Sequence, residues 1–531
     1  MAVWILLGLL ILVTAAVPVA AVLGILSFVL DEIAMDGRLT FGIGEIVWDK
    51  SKEFILVAVP MFILLGEIML RAGIARRMYG AVIQWLSWLP GGLMHANIGS
   101  CTIFAASSGS SVATAATVGT VAYPEIEKRK YNESLFLGSL AAGGTLGILV
   151  PPSINLILYG LLTDTSVPEL YLAGIFPGLM LAFLFMAVII FACLYRKSWG
   201  GDPVRTTWGE RIRTLPDLLP PVLLFAVVVG SIYAGVATPT EAAAVGVVFA
   251  IGLAAWHNFQ APIEKPIDLL PIGVGFGAAI GCMFMGLNVA YAALGILAFL
   301  AVFTGVRKAR SFPFWLTIAL FVFPLTAFMI YAPASDVTRI MFGVLVVLCA
   351  IGFGMKKGVL APKMFVESFE GTLRTTAMIM LIVFAAIFLN FVLGFMGITQ
   401  AMLNFIAELG LTPVETILLI VVFYLILGMF METLSMMLTT VPVVFPIVMS
   451  LNVAEFSDVW FGILITLLME AALITPPIGV NLYVVQGIRA RGGKFNDVAI
   501  GAVPFVIAML VMIGILIAFP GVATYLPNQF F

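Results

Sequence analysis

Apolar runs long enough to cross a bilayer, about 20 residues each, fill most of this chain, and the informative positions are those that interrupt them. SSGSSVATAAT at 107–117 breaks one run with hydroxyls and glycine, and GILVPPSINLILYG at 147–160 breaks the next with a proline pair. The same two interruptions return at METLSMMLTTVP, 431–442, and at ALITPPIGVNLYVVQG, 472–487. Pro151 and Pro476 stand 325 residues apart, the same shift carries Ser107 onto Glu432, and Ala72-Gly73-Ile74 meets Met396-Gly397-Ile398 at a shift of 324. Paired, interrupted apolar segments in corresponding halves of a membrane chain mark the binding site of a secondary transporter. The pattern predicts an all-α polytopic membrane protein of two repeats, each with a re-entrant helical hairpin and a helix broken at Pro-Pro.

Charge orients these elements. Lys and Arg gather at Arg71, Arg76 and Arg77, at Lys128–Lys130, from Arg196 to Arg213, at Arg307–Arg310, at Lys356, Lys357 and Lys363, and at Arg489, Arg491 and Lys494. Such loops stay in the cytoplasm. The acidic loop 31–53 reads as outside, and so does Glu455–Asp458. The segment 93–127 has basic flanks on both sides, so it enters and leaves on the cytoplasmic face as a hairpin. Parity makes 413–449 a second hairpin that opens to the opposite face, which gives the two repeats inverted topology. The chain then divides into an N-terminal span and outer loop (1–52), a first repeat (53–256, hairpin 93–127, broken helix 133–163), extra spans (257–362) and a second repeat with a C-terminal span (363–531, hairpin 413–449, broken helix 457–486). Four crossings are expected in 257–362: spans near 312–332 and 338–355, and two short ones from the run 267–303, which is too long for one upright helix at 1.5 Å per residue. The first segment lacks a basic start and a small-residue cleavage site, and reads as a retained span.

Composition narrows the function classes. The 531 residues are 62% hydrophobic and 10% charged, against about 25% charged in soluble proteins, and no stretch is polar enough for a soluble domain. Cys101, Cys193, Cys282 and Cys349 and the two histidines, His95 and His257, show no ligand-like spacing. The cysteines read as small buried hydrophobes. A membrane-embedded enzyme would need a convergent His/Asp/Cys set, which is missing, and neither nucleic acid nor an organic cofactor is expected. Two hairpins of opposite orientation make closed gates, which argues against a channel.

Backbone leaves helical form inside a membrane only where protein buries it or it lines a wet cavity. Carbonyls freed at Ser107–Ser111 and at Val150-Pro151-Pro152 are hard oxygen ligands suited to Na⁺, and the half-helices resuming after each break aim N–H groups at an anion. Hydroxyls of Ser108, Ser110, Ser111, Thr114 and Ser153, and of Thr433, Ser435, Thr439, Thr440 and Thr475, add candidate ligands, and Asn155 and Asn481 follow the proline pairs at matching places. Ser and Thr in membrane helices also serve close packing, so the case rests on their clustering at four paired breaks. Glu432, at the second hairpin tip, is either a functional carboxylate or an acid hydrogen-bonded to the N–H groups its own hairpin frees. Glu470, six residues before Pro476, is a weaker case of the same kind. Glu241 reads as a helix start and Glu67 with Arg71 as a helix-end pair. Amphipathic connectors at 74–89 and 399–409 precede the hairpins, and the basic, Trp-bearing first one reads as an interfacial helix. No Lys or Arg is placed near the breaks, so an anionic substrate would rely on helix ends, hydroxyls and co-bound cations.

VPMFILLGEIMLRAGIARRM (59–78), AASSGSSVATAATVGTVAYPEI (105–126), PPSINLILYG (151–160), ATPTEAAAVGV (237–247), PVVFPI (442–447) and TPPIGVNLYVVQGI (475–488) resemble the large membrane subunit of tripartite ATP-independent periplasmic (TRAP) transporters. The resemblance covers roughly 50–255 and 363–520. It implies a bacterial inner-membrane carrier of elevator type, with a scaffold and a transport domain, driven by two or more Na⁺ ions. It also implies a small membrane subunit and a periplasmic binding protein that delivers a small organic anion. By this resemblance Ser107, Gly109, Ser110, Val150, Pro151, Thr433, Ser435, Thr475, Pro476 and Gly479 fall at the Na⁺ sites. Ser108, Ser111, Ser153, Asn155, Glu432 and Asn481 are assigned to substrate. Two features depart from the family: Glu432-Thr433 stands where members often carry Asp and a small residue, and 258–362 has no counterpart in the shorter members. A stand-alone anion/Na⁺ symporter of the same superfamily is the alternative.

Overall fold

The computed structural model describes residues 17–202, 204, 206–257, 362–477, 479–489 and 492–530, with Gly8 and Leu12. The four crossings expected between 257 and 362 lie outside them. Every regular element among the described residues is helical. The first half supplies α1 (Val19–Met35), α2 (Ala58–Arg71), α3 (Ile74–Leu86), α4 (Leu93–Ser108), α5 (Ser111–Ala122), α6 (Glu133–Leu149), α7 (Ile154–Thr163), α8 (Val167–Tyr195), α9 (Leu219–Tyr233) and α10 (Pro239–His257). The second supplies α11 (Pro362–Phe395), α12 (Ile398–Glu408), α13 (Pro413–Leu427), α14 (Thr433–Ser450), α15 (Asp458–Leu473), α16 (Val480–Ile488) and α17 (Phe495–Ala518). Among the described residues five helices are long and apolar enough to cross a membrane: Phe54–Arg71, Val167–Tyr195, Lys363–Phe395, Thr433–Ser450 and Phe495–Ala518. Two bent pairs, α6 with α7 at 43° and Trp208–Asp217 with α9 at 45°, raise the number to seven if each is one span. Breaks fall at 109–110, 150–153, 428–432 and 474–479.

The described residues form two compact units. The smaller takes in 60–74, 222–257 and 362–372. Within it Arg71 bonds Glu67 at 2.9 Å, the helix-end pair read from the sequence, and also reaches Glu367 at 2.8 Å. Glu241 starts α10 as expected: Thr238 donates its backbone N–H to that carboxylate at 2.9 Å.

The larger unit takes in 17–59, 75–221 and 373–530, and its centre is α6. From Leu135 to Leu149 every residue of α6 is buried, because its small residues let neighbours approach to backbone distance. A Cβ added at Gly138 would lie 2.0 Å from the Gly501 carbonyl oxygen of α17, and one at Gly501 would lie 1.8 Å from the Ser134 carbonyl oxygen. Gly147 stands close to α5, 2.8 Å from the Ser110 carbonyl oxygen by the same measure. Small-residue seams of this kind bring membrane helices together where side chains would hold them apart. Helix α15 is the counterpart: Val459 to Leu473 are all buried. Asn132 caps α6 by accepting the Leu135 N–H at 2.9 Å, and Ser457, 325 residues on, caps α15 by accepting the Trp460 N–H at 3.1 Å. Such caps satisfy N–H groups that the first turn leaves free.

At the base of this unit Arg489, which ends α16, is buried. Its guanidinium donates to Glu133 at 2.6 Å, Asp497 at 3.3 Å, the Gln486 side chain at 3.1 Å and the Lys494 carbonyl at 3.0 Å. The sequence placed this residue in a basic loop, and the fold turns it inward as the tie between α16, α6 and α17. In the polar stretch 196–216, Thr207 and Glu210 form a capping box, and the Thr207 N–H and hydroxyl hold the Glu210 carboxyl below the usual carboxylate range.

Candidate functional site

The four breaks all lie in the larger unit. Helices α4 and α5 are joined by Gly109-Ser110 and pack against each other. The turn needs Gly109, at φ +57°, because an L side chain pays steric cost there. Gly109 also lies against the first proline break: a Cβ on it would sit 3.1 Å from the Pro152 carbonyl oxygen. Ser110 caps α5, accepting from the Ala113 N–H at 3.4 Å, while its carbonyl takes the Thr114 N–H at 3.1 Å and hydroxyl at 2.8 Å. The side chains of Ser107 and Ser108 lie outside those described.

At the first proline break Pro151 and Pro152 join by a cis peptide, and Val150, both prolines and Ser153 are buried. Ser153 caps α7, accepting from the Leu156 N–H at 3.4 Å, and its carbonyl accepts from the Tyr171 hydroxyl at 3.4 Å. Asn155, in the first turn of α7, is 2% exposed, and its amide nitrogen has no hydrogen-bond partner among the described residues. A buried donor left unpaired costs about 1–3 kcal/mol, so it is the kind of group a ligand satisfies. We expect Asn155→Ala to cost less stability than the loss of a hydrogen-bonded buried amide, since among the described residues no protein bond is lost at that nitrogen, while substrate uptake falls. A loss of stability matching the loss of uptake would mark the side chain as structural.

The second repeat differs in detail. Its tip spans 428–432 between α13 and α14. Glu432 occupies the cap position of α14 without capping it, and accepts only the Ser435 hydroxyl, at 3.1 Å. This half-buried carboxylate is therefore not tied to the N–H groups of its own hairpin. Thr433 and Ser435 are buried. Thr439 donates to the Ser435 carbonyl at 2.7 Å, and Thr440 donates to Met436 and pairs with the Tyr424 hydroxyl. Pro476 and Pro477 form the other cis peptide, but Pro477 is exposed and Thr475 and Pro476 are half-buried. Thr475 returns its hydroxyl to the Ala471 carbonyl at 2.6 Å. Gly479, at φ +50°, packs on the Leu473 carbonyl. Asn481 is fully buried: its amide nitrogen reaches the Ala141 carbonyl at 3.5 Å, and its amide oxygen has no partner.

The two halves of the chain cross over each other. The second arm of the first hairpin, α5, packs against α16, and the second arm of the other, α14, packs against α7. At this crossing the Ser111 hydroxyl of α5 donates to Glu470 of α15, 2.8 Å from one carboxylate oxygen and 3.1 Å from the other. Both residues are buried, Glu470 completely. Glu470 held only a minor place in the sequence pattern, since its partner lies 359 residues away and nothing local marks the contact. Among the described residues no group of three or more His, Cys, Asp or Glu side chains gathers as a metal cluster.

Comparison with known proteins settles the relationship. The family described as "Tripartite ATP-independent periplasmic transporter, DctM component" matches residues 3–361 and 313–522. This chain belongs to that family. The two matches overlap at 313–361, inside the stretch that the resemblance left without a counterpart. A C4-dicarboxylate TRAP transporter large permease protein DctM from Pseudomonas aeruginosa is 29% identical over 91% of this chain and 88% of its own length. An ectoine TRAP transporter large permease protein, TeaC, from Halomonas elongata is 27% identical over 90% and 87%. An isethionate TRAP transporter permease protein, DctMQ, from Oleidesulfovibrio alaskensis is 24% identical over 93% of this chain but only 62% of its own. The DctM-family chain is thus a multi-pass membrane protein of a transporter family whose members are named for chemically different substrates.

Proposed function

We propose that this chain is the large permease of a sodium-driven, binding-protein-dependent uptake system for a small organic anion of the carboxylate or sulfonate class, in the bacterial inner membrane. It belongs to the DctM family, and relatives are named for dicarboxylate, sialic acid and isethionate transport. A small membrane subunit and a periplasmic binding protein complete the system, and the isethionate relative, of which this chain covers 62%, carries the combined name DctMQ.

The observation that carries the reading is the unsatisfied amide nitrogen of Asn155. Asn155 and Asn481 each sit at the second residue of a half-helix resuming after a Pro-Pro break, both buried; among the described residues the Asn155 amide nitrogen, a donor free for an anion, and the Asn481 amide oxygen, an acceptor free for a hydroxyl or N–H of the substrate, have no partner. Helix N-termini favour anions, and buried polar groups without partners favour a ligand that supplies them. Substrate is held between Ser108, Ser111, Ser153, Asn155, Glu432 and Asn481. Sodium ions sit at Ser107, Gly109, Ser110, Val150 and Pro151, and at Thr433, Ser435, Thr475, Pro476 and Gly479. The inverted repeats move this core as an elevator against a scaffold.

The test is uptake into proteoliposomes holding both membrane subunits, with the binding protein outside, across a panel of C4-dicarboxylates, sialic acid and isethionate. Uptake of one substrate that collapses when the Na⁺ gradient is removed is the expected result. Uptake that persists unchanged without Na⁺ overturns the coupling, and uptake without the binding protein favours a stand-alone symporter. Ser110→Ala is expected to raise the Na⁺ concentration for half-maximal uptake, and an unchanged Na⁺ dependence returns that residue to a packing role.

A further inference from the structure

Two amphipathic segments meet on the side that the loop charges assign to the cytoplasm, and neither belongs to the site above. One is α3. The other is the helix Trp208–Thr214, continued by the turn Leu215–Asp217 and bent by 45° from α9, which follows it. The two run antiparallel. Near the end of α3 the Thr206 hydroxyl donates to the Gln84 carbonyl at 3.4 Å, and near its start the Arg77 charge reaches the Asp217 carboxyl.

The apolar side of the second segment is uncovered. Trp208, Ile212, Leu215 and Leu219 are spaced four, three and four apart, which puts them in one stripe along a helix. All four are exposed, Trp208 by 69% and Ile212 by 64%. Trp88, just past the end of α3, is exposed as well. Arg211 stands at the edge of the stripe. Its guanidinium lies 4.9 Å from the centroid of the Trp208 ring, and its Nε donates to the Thr206 hydroxyl at 3.2 Å. A guanidinium has five N–H donors, and among the described residues the four on the Nη atoms have no partner.

Ion pairing sets this surface apart from the other basic loops. Glu125 neutralises Lys128 and Arg129, and Glu133 and Asp497 neutralise Arg489. Among the described residues Arg76, Arg77, Arg211 and Arg213 form no ion pair at contact distance. Residues 74–89 and 196–217 together hold seven Lys or Arg and three Asp or Glu, so the surface keeps a positive excess that the chain does not cancel. The bend at Leu218 turns Trp208–Asp217 off the axis of α9, toward the membrane plane. An apolar stripe edged by unpaired arginines at that level is complementary to anionic lipid: the stripe enters the acyl boundary and headgroup phosphates serve as counter-ions.

We infer that α3 and Trp208–Asp217 form a docking surface for the anionic phospholipids of the adjoining leaflet. Lipid phosphates neutralise the four arginines, and acyl chains cover Trp208, Ile212, Leu215 and Leu219. The test uses the full chain in vesicles of phosphatidylcholine and phosphatidylglycerol, with one or the other lipid brominated to quench tryptophan. The signal of Trp208 is the quenching in wild type minus that in Trp208→Phe. Phosphatidylglycerol is expected to quench Trp208 with a relative binding constant at least about fivefold above that of phosphatidylcholine, a preference that shrinks in high salt. Arg211→Gln with Arg213→Gln is expected to remove most of the preference. Arg213→Gln alone, at an exposed side chain that no hydrogen bond ties down, is expected to lower it by two- to fivefold, and Lys128→Gln is expected to leave it unchanged. Failure of both brominated lipids to quench Trp208, equal quenching by the two, or a wild-type preference in both arginine variants overturns the surface. Inorganic phosphate that abolishes the preference at matched ionic strength assigns the arginines to free phosphate instead. Quenching lost when the small membrane subunit is reconstituted alongside gives the stripe to that subunit, and either result overturns the lipid assignment.

Discussion

Gly501→Ala will cost this protein about 3 kcal/mol or more of stability, the upper end for a side chain forced into filled space. The new methyl would lie 1.8 Å from the Ser134 carbonyl oxygen and 2.5 Å from its carbon. Both are backbone atoms, which cannot swing aside as a flexible side chain would, so α17 must withdraw from α6. The same helix supplies its own control. Gly514 has nothing within 4 Å of an added Cβ, and Gly514→Ala is expected to be neutral or to stabilise by up to about 1 kcal/mol through helix propensity. Thermal unfolding of the two variants in the same detergent measures the difference. Equal melting behaviour would mean that the α6–α17 seam yields without strain.

Arg489→Ala is the second large effect. The guanidinium is 3% exposed and bonds four groups, while the carboxylates it joins, Glu133 and Asp497, are 43% and 39% exposed. Removing one partner of a fully buried pair costs about 3–5 kcal/mol. The exposed carboxylates are screened by water and recover part of that, which leaves about 2 kcal/mol as the expected loss. Arg489→Lys is expected to recover only a fraction, since an ammonium cannot span the planar fan of acceptors a guanidinium reaches. A lysine variant as stable as wild type would show that charge alone matters there.

What the sequence disclosed, and what it hid, follows from the range of each interaction. The proline pairs and the small-residue breaks are local signals: a proline acts on its own backbone, so repeated spelling reports repeated structure. The asymmetry of the two tips was visible in the serine-rich break at 107–111 against Glu432-Thr433, and the fold gives it content, since Ser110 caps its helix and Glu432 does not. The contacts of Glu470 with Ser111 and of Arg489 with Glu133 span 359 and 356 residues. Hydropathy and charge order carry no term for such pairs, so Glu470 was underrated and Arg489 was read as a loop charge. The difference in exposure between Pro152, buried, and Pro477, exposed, was hidden for the same reason: the two motifs are spelled alike, and only their neighbours differ.

The enclosure of α6 and α15 bears on how the bilayer itself acts on this protein. A helix with no lipid-facing side chain feels no hydrophobic mismatch, so a thinner or thicker membrane exerts no direct force on either of them. Mismatch must instead be taken up by the long outer helices, such as α8 with 29 residues and α17 with 24, which can tilt at fractions of a kcal/mol per Å. Lipid chain length would then alter how fast such a carrier cycles while leaving the affinity of its binding core nearly constant.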